Sequence, residues 1–307
     1  MSLARSFITW LSNRRAFTRA IGGTGMRLGF ARRFIAGETL EDGLRASAEL
    51  NAKGLLVILN QLGEHVADRA AAEASFVSYQ RMLREIADRK LNAFVTVKPT
   101  QLGLGIDPAL CLDLTRRLVA DAAARGNFFE IDMEDSPTVD ATLALYEGVR
   151  RDHDNVGLAV QAYLFRTEAD LKRLQPLRPK IRLVKGAYLE PASVAFAAKS
   201  DVDQNFIKLM RILFADGFTP AIGSHDERMI AEARALAKEF NRAPDSWEVQ
   251  MLHGIRRDLQ DQLVRDGYRM RVYVTFGTEW VPYFMRRLAE RPANLGFVLK
   301  SLLRKER

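Results

Sequence analysis

The sequence predicts an α/β protein, a barrel of eight parallel strands with helices between them, and three observations predict this fold class. Eight short segments rich in Val, Ile, Leu and Phe recur along the 307 residues, as expected for strands covered on both faces. The stretches between these segments are long enough for crossover helices. Polar side chains gather directly after most of the apolar runs, at the strand ends where barrel enzymes carry their chemistry.

The predicted strands are listed here in chain order: LLVILN (55–60), AFVTVKP (93–99), FFEIDME (128–134), GLAVQAY (157–163), KIRLVKG (180–186), FTPAIGS (218–224), WEVQML (247–252) and MRVYVTF (270–276). The stretch 107–126 is typical of the intervening helices, since Asp107 and Pro108 form a start signal and Gly126 a stop signal. A doubly wound sheet has the same alternation of strands and helices. The clustering of polar residues at the carboxyl ends of the strands favours the barrel.

Two parts of the chain are expected to differ in organisation. Residues 1–45 precede the barrel and are predicted to form a basic helical segment that packs on it or flanks it. Residues 46–307 are predicted to form the catalytic barrel. Cys111 is the single cysteine, which excludes an intrachain disulfide and favours a cytoplasmic location. No apolar run is long and charge-free enough to span a bilayer.

Positive charge is concentrated at the ends of the chain. The formal net charge is +8, yet residues 1–37 alone hold seven arginines and no acidic residue. The rest of the chain up to residue 299 is close to neutral, so it lacks the basic groove that a nucleic-acid enzyme needs, and we expect no nucleic-acid partner. The acid-free segment also carries Trp10 and Phe17. We therefore expect peripheral contact with anionic lipid on the inner face of the cell membrane, with a basic helix packed on the barrel as the alternative.

The segment after the eighth strand, residues 279–292, carries the adjacent arginines Arg286 and Arg287. Two guanidinium groups at a barrel mouth can bind one small carboxylate through several planar hydrogen bonds. Aromatic residues that could wall an apolar ring fall at the same end of the barrel: Tyr188, Tyr273 and Tyr283. A solvated basic helix face is the competing interpretation of the arginine pair.

Charged residues at two other strands also indicate a functional site. Lys98 and Asp132 follow neighbouring strands and are expected to form a buried ion pair. Such pairs are weak evidence for stability because desolvation is costly, so at a barrel mouth they point to function. Arg182 lies inside the fifth strand and needs an acidic partner or an electron-rich ligand. It could stabilise negative charge that develops on a redox ring.

A metal-dependent lyase or aldolase that acts on a small carboxylate is the alternative function on the same barrel. Asp132, Glu134 and His225 could hold a divalent ion for such an enzyme. The four histidines show no metal-ligand spacing, so we expect no metal. A non-enzymatic binding scaffold would not explain polar residues at so many strand ends.

Seven motifs resemble, in order, those of the proline dehydrogenase family, and more narrowly its short, monofunctional bacterial members. These motifs are VTVKPTQLGLG (95–105), EIDMEDS (130–136), VQAYLFRTE (160–168), RLVKGAY (182–188), GSHD (223–226), VQMLHG (249–254) and YFMRRLAERP (283–292). The resemblance runs from about Glu38 to Pro292. Ser224 stands where a threonine is common, a change that keeps the hydroxyl.

The resemblance implies a distorted (β/α)8 TIM-type barrel with additional N-terminal helices that binds FAD. It implies oxidation of L-proline to Δ1-pyrroline-5-carboxylate by hydride transfer to the flavin, the first step of proline catabolism to glutamate. The electrons would pass to a membrane quinone. The product would pass to a pyrroline-5-carboxylate dehydrogenase.

Roles for single residues also follow from the resemblance. Arg286 and Arg287 would clamp the carboxylate of proline together with Lys98, which Asp132 would hold. The pyrrolidine ring would pack against Tyr188, Leu252, Tyr273 and Tyr283.

The resemblance further implies which residues face the cofactor. Arg182 would lie near the flavin N5 and act with Asp132 as a catalytic residue. Glu64 would be a gate carboxylate that pairs with Arg286 when the site closes. The remaining cofactor contacts would be Met133, Gln161, Lys185, Gly186, Ala187, Ser224, His225 and Glu290.

Overall fold

A computed structural model of the chain describes residues 34–281 and 283. Eight parallel strands close into a barrel in sequence order, because β8 pairs with β1 as well as with β7. The strands are β1 (Leu56–Gln61), β2 (Ala93–Val97), β3 (Phe129–Ile131), β4 (Val156–Gln161), β5 (Lys180–Val184), β6 (Thr219–Gly223), β7 (Glu248–Leu252) and β8 (Met270–Phe276). The predicted barrel is confirmed, and each predicted strand is present with ends that shift by three residues at most.

Helices connect successive strands. Those that the structure describes are α1 (Leu40–Asn51), α2 (Arg69–Asp88), α3 (Pro108–Ala124), α4 (Val139–Arg150), α5 (Thr167–Leu174), α6 (Lys199–Ala215), α7 (Glu227–Glu239) and α8 (Arg257–Arg265). The predicted signals of α3 are confirmed, since the Asp107 side chain accepts hydrogen bonds from the amides of Ala109 and Leu110 at 2.9 and 3.2 Å. Gly126 follows the helix with φ of 64°, a backbone conformation that favours glycine.

Charged side chains pair across the interior of the barrel. Successive strand residues point to opposite faces, so Lys180 and Arg182 on β5 share the inward face. The Lys180 Nζ lies 2.8 Å from the Glu248 Oε1, and the Arg271 Nε lies 2.9 Å from the same oxygen. Higher in the barrel, the Arg182 Nη1 lies 3.4 Å from the Glu130 Oε2. Ion pairs thus take positions that branched apolar residues usually fill in such barrels.

The segment before β1 packs on the barrel where the structure describes it. The Ala36 amide donates to the Thr275 carbonyl at 2.9 Å, and the Gly277 amide donates to the Gly37 carbonyl at 3.0 Å. Helix α1 spans the predicted boundary between residues 45 and 46. The predicted basic helices before residue 34 lie outside the described residues. No helix within the described part is long and apolar enough to cross a membrane.

Candidate active site

A cavity opens at the carboxyl end of the barrel, where the polar residues that follow the strands lie. It encloses about 900 Å³ of empty space, including its open mouth. Its walls combine charged, aromatic and small side chains. They are Lys98, Asp132, Met133, Ala159, Gln161, Arg182, Val184, Ala187, Tyr188, Gly223, His225, Gln250, Met251, Leu252, Tyr273 and Tyr283.

Asp132 binds four side chains in the wall of this cavity. Its Oδ2 lies 3.2 Å from the Lys98 Nζ and accepts a 2.8 Å hydrogen bond from the Tyr273 hydroxyl. Its Oδ1 accepts a 2.8 Å hydrogen bond from the Thr96 hydroxyl and contacts the Arg182 Nη2. The predicted pairing of Lys98 with Asp132 is therefore present, and Arg182 joins the same carboxylate.

The charges of this cluster stabilise one another. Burial raises the pKa of Asp132, but the neighbouring Arg182 and Lys98 outweigh it and hold the pKa at about 2. Burial opposes the charged form of Lys98, yet the carboxylate of Asp132 raises the Lys98 pKa above its usual value. Burial and the Asp132 charge raise the pKa of Tyr273 well above that of a free phenol. At neutral pH, the cluster thus holds a carboxylate, two cations and a protonated phenol.

Arg182 stands at the centre of the cavity floor. Its side chain is 6% exposed and its guanidinium carbon lies 5.1 Å from the centre of the Tyr273 ring. The Nη1 and Nη2 atoms face Glu130 and Asp132, whereas the Nε atom has no hydrogen-bond partner among the described residues. A buried donor of this kind can serve a ligand in the cavity.

The residues expected to wall a substrate ring line the cavity together. They are Tyr188, Leu252, Tyr273 and Tyr283. Glu64, the expected gate residue, does not line this cavity but borders it, because the Tyr188 hydroxyl lies 3.5 Å from the Glu64 Oε2. Its expected partner Arg286 lies outside the described residues, as do Arg287 and Glu290.

The residues expected to contact a cofactor divide into two groups. Met133, Gln161, Ala187 and His225 line the cavity with Arg182. The Gln161 amide is fixed by a 2.8 Å hydrogen bond to the Glu134 carbonyl. The His225 Nε2 accepts the Leu252 amide hydrogen at 2.9 Å, so a neutral His225 carries its proton on Nδ1.

Lys185, Gly186 and Ser224 do not line the cavity and lie just behind its wall. The Lys185 Nζ contacts the Asp203 Oδ1 at 2.5 Å and the Asp226 Oδ2 at 3.4 Å. The Ser224 hydroxyl accepts the Asp226 amide hydrogen at 3.1 Å. Gly186 has φ of 113°, and a β-carbon there would lie 2.3 Å from the Tyr163 ring. These three residues support the wall from behind in the structure as it stands, and their contact with a cofactor stays a prediction.

Several residues of the Asp132 cluster and of the cavity were not singled out from the sequence. The most informative is Thr96, which precedes Lys98 by two residues and therefore shares its inward face. The same alternation places Ala159 before Gln161 and Gln250 before Leu252. Alternation along the strand could have identified them, because each of these residues lies two positions before a residue that had been singled out.

The ligand set of the metal-dependent alternative is not brought together. Within the described part of the chain, the group with donor atoms inside 4.8 Å of one another is Glu64, His65 and Glu134, not Asp132, Glu134 and His225. The Glu134 carboxylate accepts hydrogen bonds from the Thr100 amide at 2.9 Å and the Thr100 hydroxyl at 2.7 Å. The cavity instead offers fixed cations beside aromatic walls, which suits a small carboxylate with an apolar ring.

Comparisons with known proteins agree with this arrangement. The family model for proline dehydrogenase matches residues 43–300. Proline dehydrogenase 1 of Bacillus subtilis (strain 168) is 38% identical over 303 residues, which cover 99% of this chain and 100% of that protein. Proline dehydrogenase of Deinococcus radiodurans is 40% identical over 280 residues, which cover 89% of this chain and 90% of that protein.

The fold also matches solved structures. The crystal structure of proline utilization A from Bdellovibrio bacteriovorus, inactivated by N-propargylglycine, superposes with a TM-score of 0.80 at 23% identity. The match covers 85% of this chain and 32% of that longer one, so it concerns the barrel fold alone. Because the family model spans most of the sequence and the bacterial relatives match it at 38% and 40% identity over nearly full length, the chain belongs to the proline dehydrogenase family.

Proposed function

We propose that this chain oxidises L-proline to Δ1-pyrroline-5-carboxylate with a bound FAD and passes the electrons to a membrane quinone. The observation that carries the proposal is the cluster in which Asp132 joins Lys98, Arg182 and Tyr273 around one cavity. The cluster presents two cations and an aromatic ring to the same space. That combination fits a substrate that is a carboxylate at one end and an apolar ring at the other.

The described residues fit a flavin in the same cavity. Ala159 on β4 and Gly223 on β6 bring little side-chain bulk to the cavity lining on the two sides of Arg182. The unpaired Arg182 Nε and the unpaired Gln250 Oε1 supply a donor and an acceptor for a heteroaromatic ring. Arg182, Gln161, Ala187 and His225 would hold the ring. When bound, FAD would accept a hydride from C5 of proline.

The chain's own contribution is binding and orientation. Lys98 stays charged and would bind the proline carboxylate, with Arg286 and Arg287 as the proposed further partners. Tyr273 and Leu252 would press on the ring and exclude water. If the secondary amine of proline binds deprotonated, no strong base is required of the protein. Holding the ring in a reactive orientation would then contribute to the rate enhancement.

The position of Glu64 supports the proposal that it forms a gate at the cavity mouth. Its carboxylate lies 3.5 Å from the Tyr188 hydroxyl, beside a residue that lines the substrate space. Pairing of Glu64 with Arg286 would close the mouth over bound proline. The imine product could then be handed to a pyrroline-5-carboxylate dehydrogenase after the gate opens.

The absorption spectrum of the purified protein, combined with an assay, tests the proposal. The protein should show the visible bands of an oxidised flavin, release FAD on denaturation, and reduce a lipophilic quinone when L-proline is added. D-proline, which places its carboxylate on the other side of the ring, is the matched control. Protein that stays inactive with FAD but turns over a small carboxylate with a divalent cation would support the lyase or aldolase instead.

A further inference from the structure

Glu130 is a buried carboxylate for which the proposed mechanism has no use. It lies on β3, two residues before Asp132, and is 0% exposed. Neither of its carboxylate oxygens has a hydrogen-bond partner among the described residues. Its ion-pair contact in that part of the chain is the Arg182 Nη1, 3.4 Å from its Oε2. An acidic group buried without hydrogen bonds is costly to keep, so its position beneath Arg182 calls for an explanation.

Glu130 supplies a second negative charge beside Arg182, in addition to that of Asp132. Lys98 and Arg182 carry two positive charges at the cavity floor, and Asp132 supplies one negative charge. An ionised Glu130 brings this group to neutrality. Without it, Lys98, Arg182 and Asp132 together would carry one excess positive charge, which Glu134 and Glu64 offset only on the Lys98 side, in a region of low dielectric constant where charges act strongly on one another.

The other charged groups near Glu130 belong to the deeper ion-pair cluster. Lys180 on β5 and Arg271 on β8 both contact Glu248 on β7. Burial raises the pKa of Glu130, and the charges of Arg182 and Lys180 offset only part of that rise. The two cations that act on Glu130 are Arg182 and Lys180, which both lie on β5. The other carboxylates that act on it are those of Asp132 on β3 and Glu248 on β7.

We propose that Glu130 is a second buried counter-ion of Arg182, beside Asp132, and lowers the reduction potential of the bound flavin. The inference rests on the flavin part of the proposed function. A hydride carries two electrons and one proton, so its transfer adds one negative charge to the ring. Arg182 stabilises that charge, and Glu130 offsets the stabilisation. Glu130 is thus a positioning and tuning residue, which acts on the flavin through Arg182 and keeps the reduced flavin able to pass its electrons on.

The test is the midpoint potential of the bound flavin in Glu130→Gln, which keeps the shape of the side chain and removes its charge. The equilibrium should shift at least tenfold towards reduced flavin, which is about 30 mV more positive for a two-electron couple. The KM for L-proline should change less than twofold, because Glu130 does not line the cavity. Glu130→Met, a second neutral variant, should give the same shift if the glutamine variant does not fold.

Glu130→Asp is the matched control because it keeps the charge and shortens the side chain. Its potential should stay close to that of the wild-type protein. A wild-type potential in both neutral variants would overturn the proposal, as would equal shifts in the aspartate and glutamine variants. A wild-type protein that binds no flavin would instead defeat the proposed function, so the two failures are distinguishable.

Discussion

Asp132 shows how one residue can organise a site. Its carboxylate accepts hydrogen bonds from Thr96 and Tyr273 and contacts two cations. The pair with Lys98 was predictable, because both residues follow neighbouring strands. The bonds from Thr96 and Tyr273 were not predictable, since alternation within a strand does not give the register between β2, β3 and β8.

The first prediction concerns the charge of Asp132. Asp132→Asn should lower the free energy of unfolding at neutral pH by about 3–5 kcal/mol, because it leaves two buried cations without their carboxylate. The kcat/KM for L-proline should fall on the order of 100-fold. Urea denaturation and steady-state kinetics measure the two effects. Asp113→Asn, at an exposed pair with Arg117, is the control and should change stability by less than about 1 kcal/mol.

The second prediction is the pH range over which this stabilisation is lost. The pKa of Asp132 is about 2 in the folded chain against an ordinary value of 3.8. The stabilisation is fully present above about pH 4 and decreases as the pH falls through the folded pKa. The gap in unfolding free energy between wild type and Asp132→Asn should therefore narrow by about 2 kcal/mol between pH 5 and pH 2. A constant gap would show that Asp132 is not held ionised by its neighbours.

At the scale of elements, alternation along a strand explains much of the site. On β5, Lys180 and Arg182 point inward, and Val184 ends the strand at the cavity. The sequence predicted the inward arginine from its place in an apolar run. It did not predict that Glu130 on β3 and Glu248 on β7 would pair with them, because β3 and β7 each lie two strands away from β5 and alternation along one strand does not give the register between strands.

The third prediction concerns Gly186, in the loop after β5. Gly186→Ala should lower the free energy of unfolding by about 1–3 kcal/mol, since alanine strains a backbone with φ of 113° and would clash with the Tyr163 ring. FAD affinity should fall as well, because Ala187 lines the cavity directly after this turn. Thermal unfolding and flavin fluorescence measure these effects. Gly105→Ala, where a β-carbon meets nothing within 4 Å, should leave both unchanged.

At the scale of the whole molecule, positive charge is distributed unevenly along the chain. The seven arginines before residue 38 give the start of the chain its positive charge, while the rest up to residue 299 is nearly neutral. The ions inside the barrel pair with one another, so they add little to the field outside. The barrel itself was predictable because its strand and helix signals repeat eight times. The contributions of Arg286, Arg287 and Glu290 stay predictions from the resemblance.

The fourth prediction concerns the acid-free segment. Deletion of residues 1–33, which removes all seven arginines and keeps the contacts of Ala36 and Gly37 with the barrel, should weaken binding to vesicles that contain anionic lipid at least tenfold, because each basic residue near such a surface contributes about 1 kcal/mol. Bleaching of the flavin by L-proline in solution should persist in the shortened chain. Cosedimentation with anionic and with neutral vesicles makes the comparison. Equal binding of the full and the shortened chain to anionic vesicles would assign the segment to packing on the barrel.

In the proposed reaction, the Asp132 cluster holds proline for two-electron transfer to a bound flavin. An anaerobic titration of the purified protein with L-proline, followed by visible absorption, tests it most directly. We expect one equivalent of L-proline to bleach one equivalent of flavin, and deuterium at C5 of proline to slow the bleaching. Flavin that stays oxidised with excess L-proline, or bleaching at a rate that deuterium at C5 does not change, would show that the Asp132 cluster does not hold proline for hydride transfer from C5.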